Sequence, residues 1–185
     1  MLMVRHGQSE FNAHFNRTRR DPGIRDPDLT EEGRAQARTA AQVIRAHDSV
    51  TEIWCSPYRR AIQTAEIIAG HLGGAIHTVT PLVGERAAYF CDYGSHPDAL
   101  SQTFPHLDFN HLAPQWWPDH EEPIAALQRR ADRFVAETAT HTGRDGLLIV
   151  THWGFIQAVT GLPVGNCSVV HVPPNVGAAT VVHAT

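Results

Sequence analysis

Lysine is absent from the chain; all 15 of its cationic side chains are arginines. That excludes Schiff-base chemistry and any phosphate loop built on a lysine, and it leaves anions to be gripped by planar guanidinium forks. Cysteine is scarce: Cys55, Cys91 and Cys167 are widely spaced and odd in number, so no disulfide framework can be read. No apolar run is long enough to cross a bilayer, and no secretory leader is legible. With unpaired thiols, this leads to the expectation of a reduced, cytoplasmic protein without a membrane partner. Histidine is plentiful at 13, yet neither HExxH nor paired Cys-x-x-Cys occurs, so no metal site and no cofactor are expected. A formal charge of −4 gives no field that would draw nucleic acid.

What remains is the composition of a globular protein, 42% hydrophobic and 18% charged. The length of 185 residues suits one domain spanning 1–185. Residues 1–5 read as a short apolar strand. Leu29-Thr30-Glu31-Glu32-Gly33 opens a long helix, with Thr30 as cap, acidic residues in the positive first turn, and Ala37, Ala40, Ala41 and Ile44 on one face. Strands are expected over 50–55, near 75–79 and over 147–150, and a helix follows Ser56-Pro57. From 86 to 120 periodicity fails, which reads as an irregular insertion with one short helix. Helical spacing returns over 121–141, and 168–172 and 178–183 look like strands joined at Pro173–Gly177. Strands alternating with helices predict an α/β three-layer sandwich with a mostly parallel central sheet.

Chemistry concentrates in three segments. Val4-Arg5-His6-Gly7 sets a histidine where a strand gives way to a loop, with Asn12 further along. An imidazole beside a fixed guanidinium suits attack on a phosphoryl group that the arginine already holds. Ser56-Pro57-Tyr58-Arg59-Arg60-Ala61 puts Arg59 in the first turn of a helix, and Thr151-His152-Trp153-Gly154 puts His152 at another helix start. All three follow predicted strands, at the sheet edge where ligands bind in open α/β folds. Converging there, they would form a pocket for a dianionic phosphate.

These segments resemble the histidine phosphatase superfamily, in its phosphoglycerate mutase-like branch. Arg5-His6-Gly7 resembles its first motif, and Leu29 to Ala37 its usual helix opening, Leu-Thr-x-x-Gly-x-x-Gln-Ala. Ser56 to Ala65 resembles its Ser-x-x-x-Arg-Ala-x-x-Thr-Ala stretch, and His152-Trp153-Gly154 its His-x-Gly. The resemblance implies a phosphoglycerate mutase-like fold and a phosphoryl group carried on His6. It implies Arg5 and Arg59 as phosphate-binding arginines, Asn12 and Trp153 beside them, and His152 as the second catalytic histidine. A glutamate soon after the third strand is often the family's general acid; Glu85 stands there, and Asp92 is a rival. Trp153 occupies a position that is often glycine, which would narrow the pocket.

The expected reaction is hydrolysis of a small phosphorylated substrate, a histidine acid phosphatase-type activity. Phosphoglycerate mutases are longer and close over their intermediate, so water should reach this phosphohistidine. A mutase-type transferase and a catalytically weak phospho-ligand binding protein are the alternatives. Arg17, Arg19, Arg20 and Arg25 form either a rim for polyanions or a solvated loop. Trp116 and Trp117 are expected to pack, and Tyr89–Tyr93 to supply lid contacts. Neither the substrate's identity nor the oligomeric state is legible.

Overall fold

The computed structural model describes residues 1–47, 50–174 and 176–184. In chain order the elements are β1 (Leu2–Arg5), α1 (Glu10–Thr18), α2 (Glu31–His47), β2 (Glu52–Cys55), α3 (Arg59–Leu72), β3 (Thr78–Val79), α4 (Pro97–Thr103), α5 (Ile124–Ala139), β4 (Leu147–Thr151), α6 (Trp153–Thr160), β5 (Val169–His171) and β6 (Thr180–His183). The strands join one sheet in the order β3-β2-β4-β1-β5-β6. The first four in that order run parallel; at the other edge β5 pairs antiparallel with β1, and β6 antiparallel with β5. This is the expected α/β sandwich.

The sheet divides the core by its period of two. Leu2, Val4, Leu148 and Val150 face α2 and α3, which contribute Ala37, Ala40, Ile44, Ala61, Ala65 and Ile68. Met3, Leu147, Ile149 and Val170 face the other way, against Leu127, Ala131 and Phe134 of α5 and Phe155, Ile156 and Val159 of α6. β4 is buried at every position, as a central strand covered on both faces must be.

Three features differ from the sequence reading. Residues 10–18 form α1, an element the sequence reading does not assign. Ser9 caps it, its Oγ accepting from Asn12 N while Asn12 Oδ1 accepts from Ser9 N. The third strand shrinks to Thr78–Val79. The insertion holds α4 and a 3₁₀ turn at Phe90–Asp92, in place of a single short helix. Of the expected connection Pro173–Gly177, Asn175 lies outside the described residues.

The loop after β1 is held by the start of α2. The N–H and hydroxyl of Thr30 both donate to Gln8 O, at 3.0 and 3.2 Å, and Thr30 Oγ1 in turn accepts from Gly33 N at 3.0 Å. The two backbones approach so closely that a Cβ on Gly7 would overlap the Gly33 carbonyl, and one on Gly33 the Gln8 carbonyl. This contact explains why the motif wants Leu-Thr-x-x-Gly here. Gly33→Ala should force the backbones apart and cost about 1–3 kcal/mol, the usual range for overpacking, measurable as a lowered urea midpoint at unchanged slope.

Candidate active site

Three neighbouring parallel strands end together, and the residue after each enters one cluster. β1 pairs with β4 so that Arg5 lies opposite Thr151, and β2 pairs with β4 up to Cys55 opposite Val150. His6, His152 and Ser56 follow these ends, with His152 on the middle strand. Its Nε2 lies 2.8 Å from Ser56 Oγ, and its ring meets the His6 ring edge-on at 5.1 Å. His152 is fully buried, and its Nδ1 has no hydrogen-bond partner.

His6 is set up to be neutral. Its Nδ1 is 2.7 Å from Gly7 O and must donate there, so the lone pair lies on Nε2, toward which Arg60 Nε–H points at 3.3 Å. Burial pushes its pKa well below the usual value, and the Arg60 and Arg5 guanidinium groups push it the same way. His152 is lowered for the same reasons, burial first and then Arg60. Arg5 extends from β1 with Nη1 on Val164 O at 2.9 Å, while its buried Nε has no partner.

The second arginine of the cluster is Arg60, which corrects the expectation for Arg59. Counted from Ser56, the arginine of Ser-x-x-x-Arg-Ala falls on Arg60. On α3 the two neighbours diverge by about 100°. Arg59 turns outward to Asp28 at 2.7 Å and remains about a third exposed. Arg60 turns inward, 3% exposed, with Nη1 on Cys91 O at 2.9 Å, Nη2 on Asp92 Oδ1 at 3.0 Å and its guanidinium over the Tyr58 ring. The motif's threonine is engaged as well, Thr64 Oγ1 accepting from Gly7 N at 3.1 Å. Asp92, the rival acid, is buried and committed, with Oδ1 on Arg60 and Oδ2 on the N–H groups of Ala88 and Tyr89.

Glu85 reaches the cluster from beyond β3. Its Oε1 accepts from Arg86 N and Gly154 N, both at 2.9 Å. A Cβ on Gly154 would come within 2.6 Å of that oxygen, so a larger residue there would displace the Glu85 carboxyl. With Oε1 doubly held, Oε2 is the oxygen that can carry a proton. Burial pushes the Glu85 carboxyl up to about 7, with Asp92 adding to the rise and the Arg86 N–H, Arg60 and Arg5 opposing it.

Arg5, His6, Asn12, Arg60, Glu85 and Trp153 line one cavity of about 710 Å³. Asn12 Oδ1 receives Ser9 N, Ser9 Oγ and Asn166 Nδ2, each at 3.1 Å, so its Nδ2 is the side that can donate inward. Asn166, absent from the sequence-based site, also donates to His6 O at 3.1 Å; no motif signals it. Trp153 stands 43% exposed at the mouth. Of the basic residues, Arg19 lines the cavity, whereas Arg25 is pinned by Gly94 O and the Trp117 ring. Trp116 packs on Tyr58, while Tyr89 lies against Phe11 and Phe15 in the cavity wall. Among the described residues, no group of three or more His, Cys, Asp or Glu could hold a metal ion, and no helix is long and apolar enough to cross a membrane.

The sequence profile of the histidine phosphatase superfamily (branch 1) matches residues 1–181. The chain belongs to the histidine phosphatase superfamily. An acid phosphatase of Mycobacterium tuberculosis is 30% identical over 162 residues, 86% of this chain and 72% of that protein. A glucosyl-3-phosphoglycerate phosphatase of Mycolicibacterium vanbaalenii is 30% identical over 90% of this chain and 76% of that protein. A 2,3-bisphosphoglycerate-dependent phosphoglycerate mutase of Bradyrhizobium diazoefficiens is 42% identical, but over 74 residues, 40% of this chain and 34% of that protein. Among solved structures, mycobacterial hydrolase 1 superposes with a TM-score of 0.60 at 26% identity, covering 92% of this chain and 89% of that one. This superfamily member thus resembles named phosphatases over most of its length, and mutases over a shorter stretch.

Arg59 and Arg60 should separate cleanly on substitution. Arg59→Ala removes a partly exposed pair, costing at most about 1 kcal/mol and sparing orthovanadate binding. Arg60→Ala strands Asp92 in the interior and should cost about 3–5 kcal/mol while abolishing that binding; urea titrations and vanadate isotherms check both.

Proposed function

We propose that this superfamily member is a histidine acid phosphatase-type phosphomonoesterase that works through phosphorylated His6. The observation that carries the reading is a neutral, tautomer-fixed His6 Nε2 between Arg5 and Arg60, with a carboxyl that keeps its proton near neutrality in the same cavity. Arg5 and Arg60 would hold the phosphoryl oxygens, with Asn12 Nδ2 beside them. The unpartnered, buried Arg5 Nε is a donor that a phosphoryl group would satisfy. Arg59 has no part in this site.

The steps follow from these groups. His6 Nε2 attacks phosphorus as the P–O bond to the leaving group breaks. Charge on the equatorial oxygens is met by the guanidinium groups. The leaving alkoxide takes the proton from Glu85 Oε2. The resulting carboxylate then takes a proton from water, whose oxygen attacks the phosphohistidine. Phosphate leaves, and His6 and Glu85 return to their starting states.

Hydrolysis is favoured over transfer because the mouth opens to solvent beside exposed Tyr89 and Trp153. The outer walls at Phe15, Tyr89 and Trp153, with Arg19 at the rim, suit a small phosphorylated molecule whose leaving group carries a ring. Three free, buried thiols accord with a reducing compartment.

Phosphate release from p-nitrophenyl phosphate without added metal should vanish in His6→Ala; activity surviving that change would overturn the mechanism. The pH dependence follows from the two shifts. His6 stays neutral into the acid range, and Glu85 holds its proton until pH rises through about 7. With glycerol phosphate, whose leaving group needs that proton, kcat/KM should therefore fall as pH rises through about 7. Glu85→Gln should lower it about a hundred- to ten-thousandfold and flatten that limb.

A further inference from the structure

Arg130 of α5 takes no part in the steps above, yet both its Nη groups donate to the backbone of the segment that carries Glu85. Nη1 donates to Leu82 O at 3.0 Å and Gly84 O at 2.7 Å; Nη2 donates to Glu85 O at 3.2 Å. The remaining bonds form a fork on Glu122, Nε to Oε1 at 3.2 Å and Nη2 to Oε2 at 2.7 Å. Glu122 is itself buried and tied to the same segment, its N–H donating to Ala87 O and its carbonyl accepting from Arg86 Nε. The Arg130 guanidinium also lies 5.2 Å from the Phe155 ring centre, next to the Gly154 N–H that holds Glu85 Oε1. One planar cation therefore spans the backbone of the acid and the helix start that orients its carboxyl.

This matters because Glu85 is not wedged in place. It lines the large cavity on one side and a second cavity of about 310 Å³ on the other, behind Tyr58, Trp116 and Trp117. Packing leaves the side chain room on both sides, so backbone placement has to aim it. We infer that the Arg130–Glu122 pair positions Glu85 for proton transfer, an inference that rests on the phosphohistidine reading above.

A positioning role predicts a defect that depends on the leaving group. p-Nitrophenolate departs without a proton, whereas the alkoxide of glycerol phosphate needs one. Arg130→Lys keeps the charge but loses the fork, and a single ammonium cannot bridge the carbonyls of Leu82, Gly84 and Glu85 together with Glu122. It should lower kcat/KM for glycerol phosphate about a hundredfold, with kcat/KM for p-nitrophenyl phosphate within about threefold of wild type, because this ratio ends at leaving-group departure and excludes the Glu85-assisted hydrolysis shared by both esters. Should that variant fail to fold by circular dichroism, the Glu122→Gln/Arg130→Gln double variant, which leaves no unpaired charge, carries the same test. Equal losses of kcat/KM on both esters, or none on either, in an active enzyme would overturn the positioning role alone. A wild type inert toward both esters would overturn the phosphohistidine reading, and the positioning role with it.

Discussion

A buried guanidinium held against a histidine that must stay uncharged is the constraint on which the site depends. Arg60 loses its water almost entirely, a cost of several kcal/mol for an isolated ion. The surrounding fold offsets it with Asp92, the Cys91 carbonyl and the Tyr58 face. Those partners include residues of the segment after β3, so this stretch of the irregular insertion is required before a charge can stand beside His6. The same charge, with Arg5 and burial, holds His6 unprotonated, as the proposed attack requires.

The two titrating groups of the proposed reaction are driven apart by their surroundings. Burial favours the neutral form of each, which lowers an imidazole and raises a carboxyl. Nucleophile and acid can then both be in their working states at one pH, without either losing its proton to the other. Asp92 adds to the rise at Glu85 while neutralising Arg60, so one carboxylate serves both ends. Two backbone N–H groups occupy one oxygen of Glu85, which leaves the other for the proton of the proposed reaction.

The parallel register of β2, β4 and β1 assembles the rest. Because the strands end within one residue of one another, Ser56, His152 and His6 come together, fixed by main-chain hydrogen bonds such as His6 N to Thr151 O at 2.9 Å. The histidines gain their geometry from the sheet. The contact of Gly7 with Gly33 then pins the outgoing loop, and Ser9 starts α1, whose face completes the cavity wall.

By itself, the sequence determined most of the element types, the layered α/β class and the set of strand-end residues to which the chemistry is assigned. Each of these follows from local periodicity, caps and motif spacing, which a linear reading can see. It also contained the spacing that points to Arg60, although adjacent arginines look alike until a helix sends one to Asp28 and the other to His6. Helix α1 escaped because its Ser9–Asn12 capping box lies inside the motif itself. Only the tertiary structure decided that Asp92 pairs with Arg60, that Asn166 braces His6 and Asn12, and that Arg130 grips the backbone of Glu85. Those contacts join residues distant in the chain through an insertion with no period of its own, so their partners are fixed by packing alone.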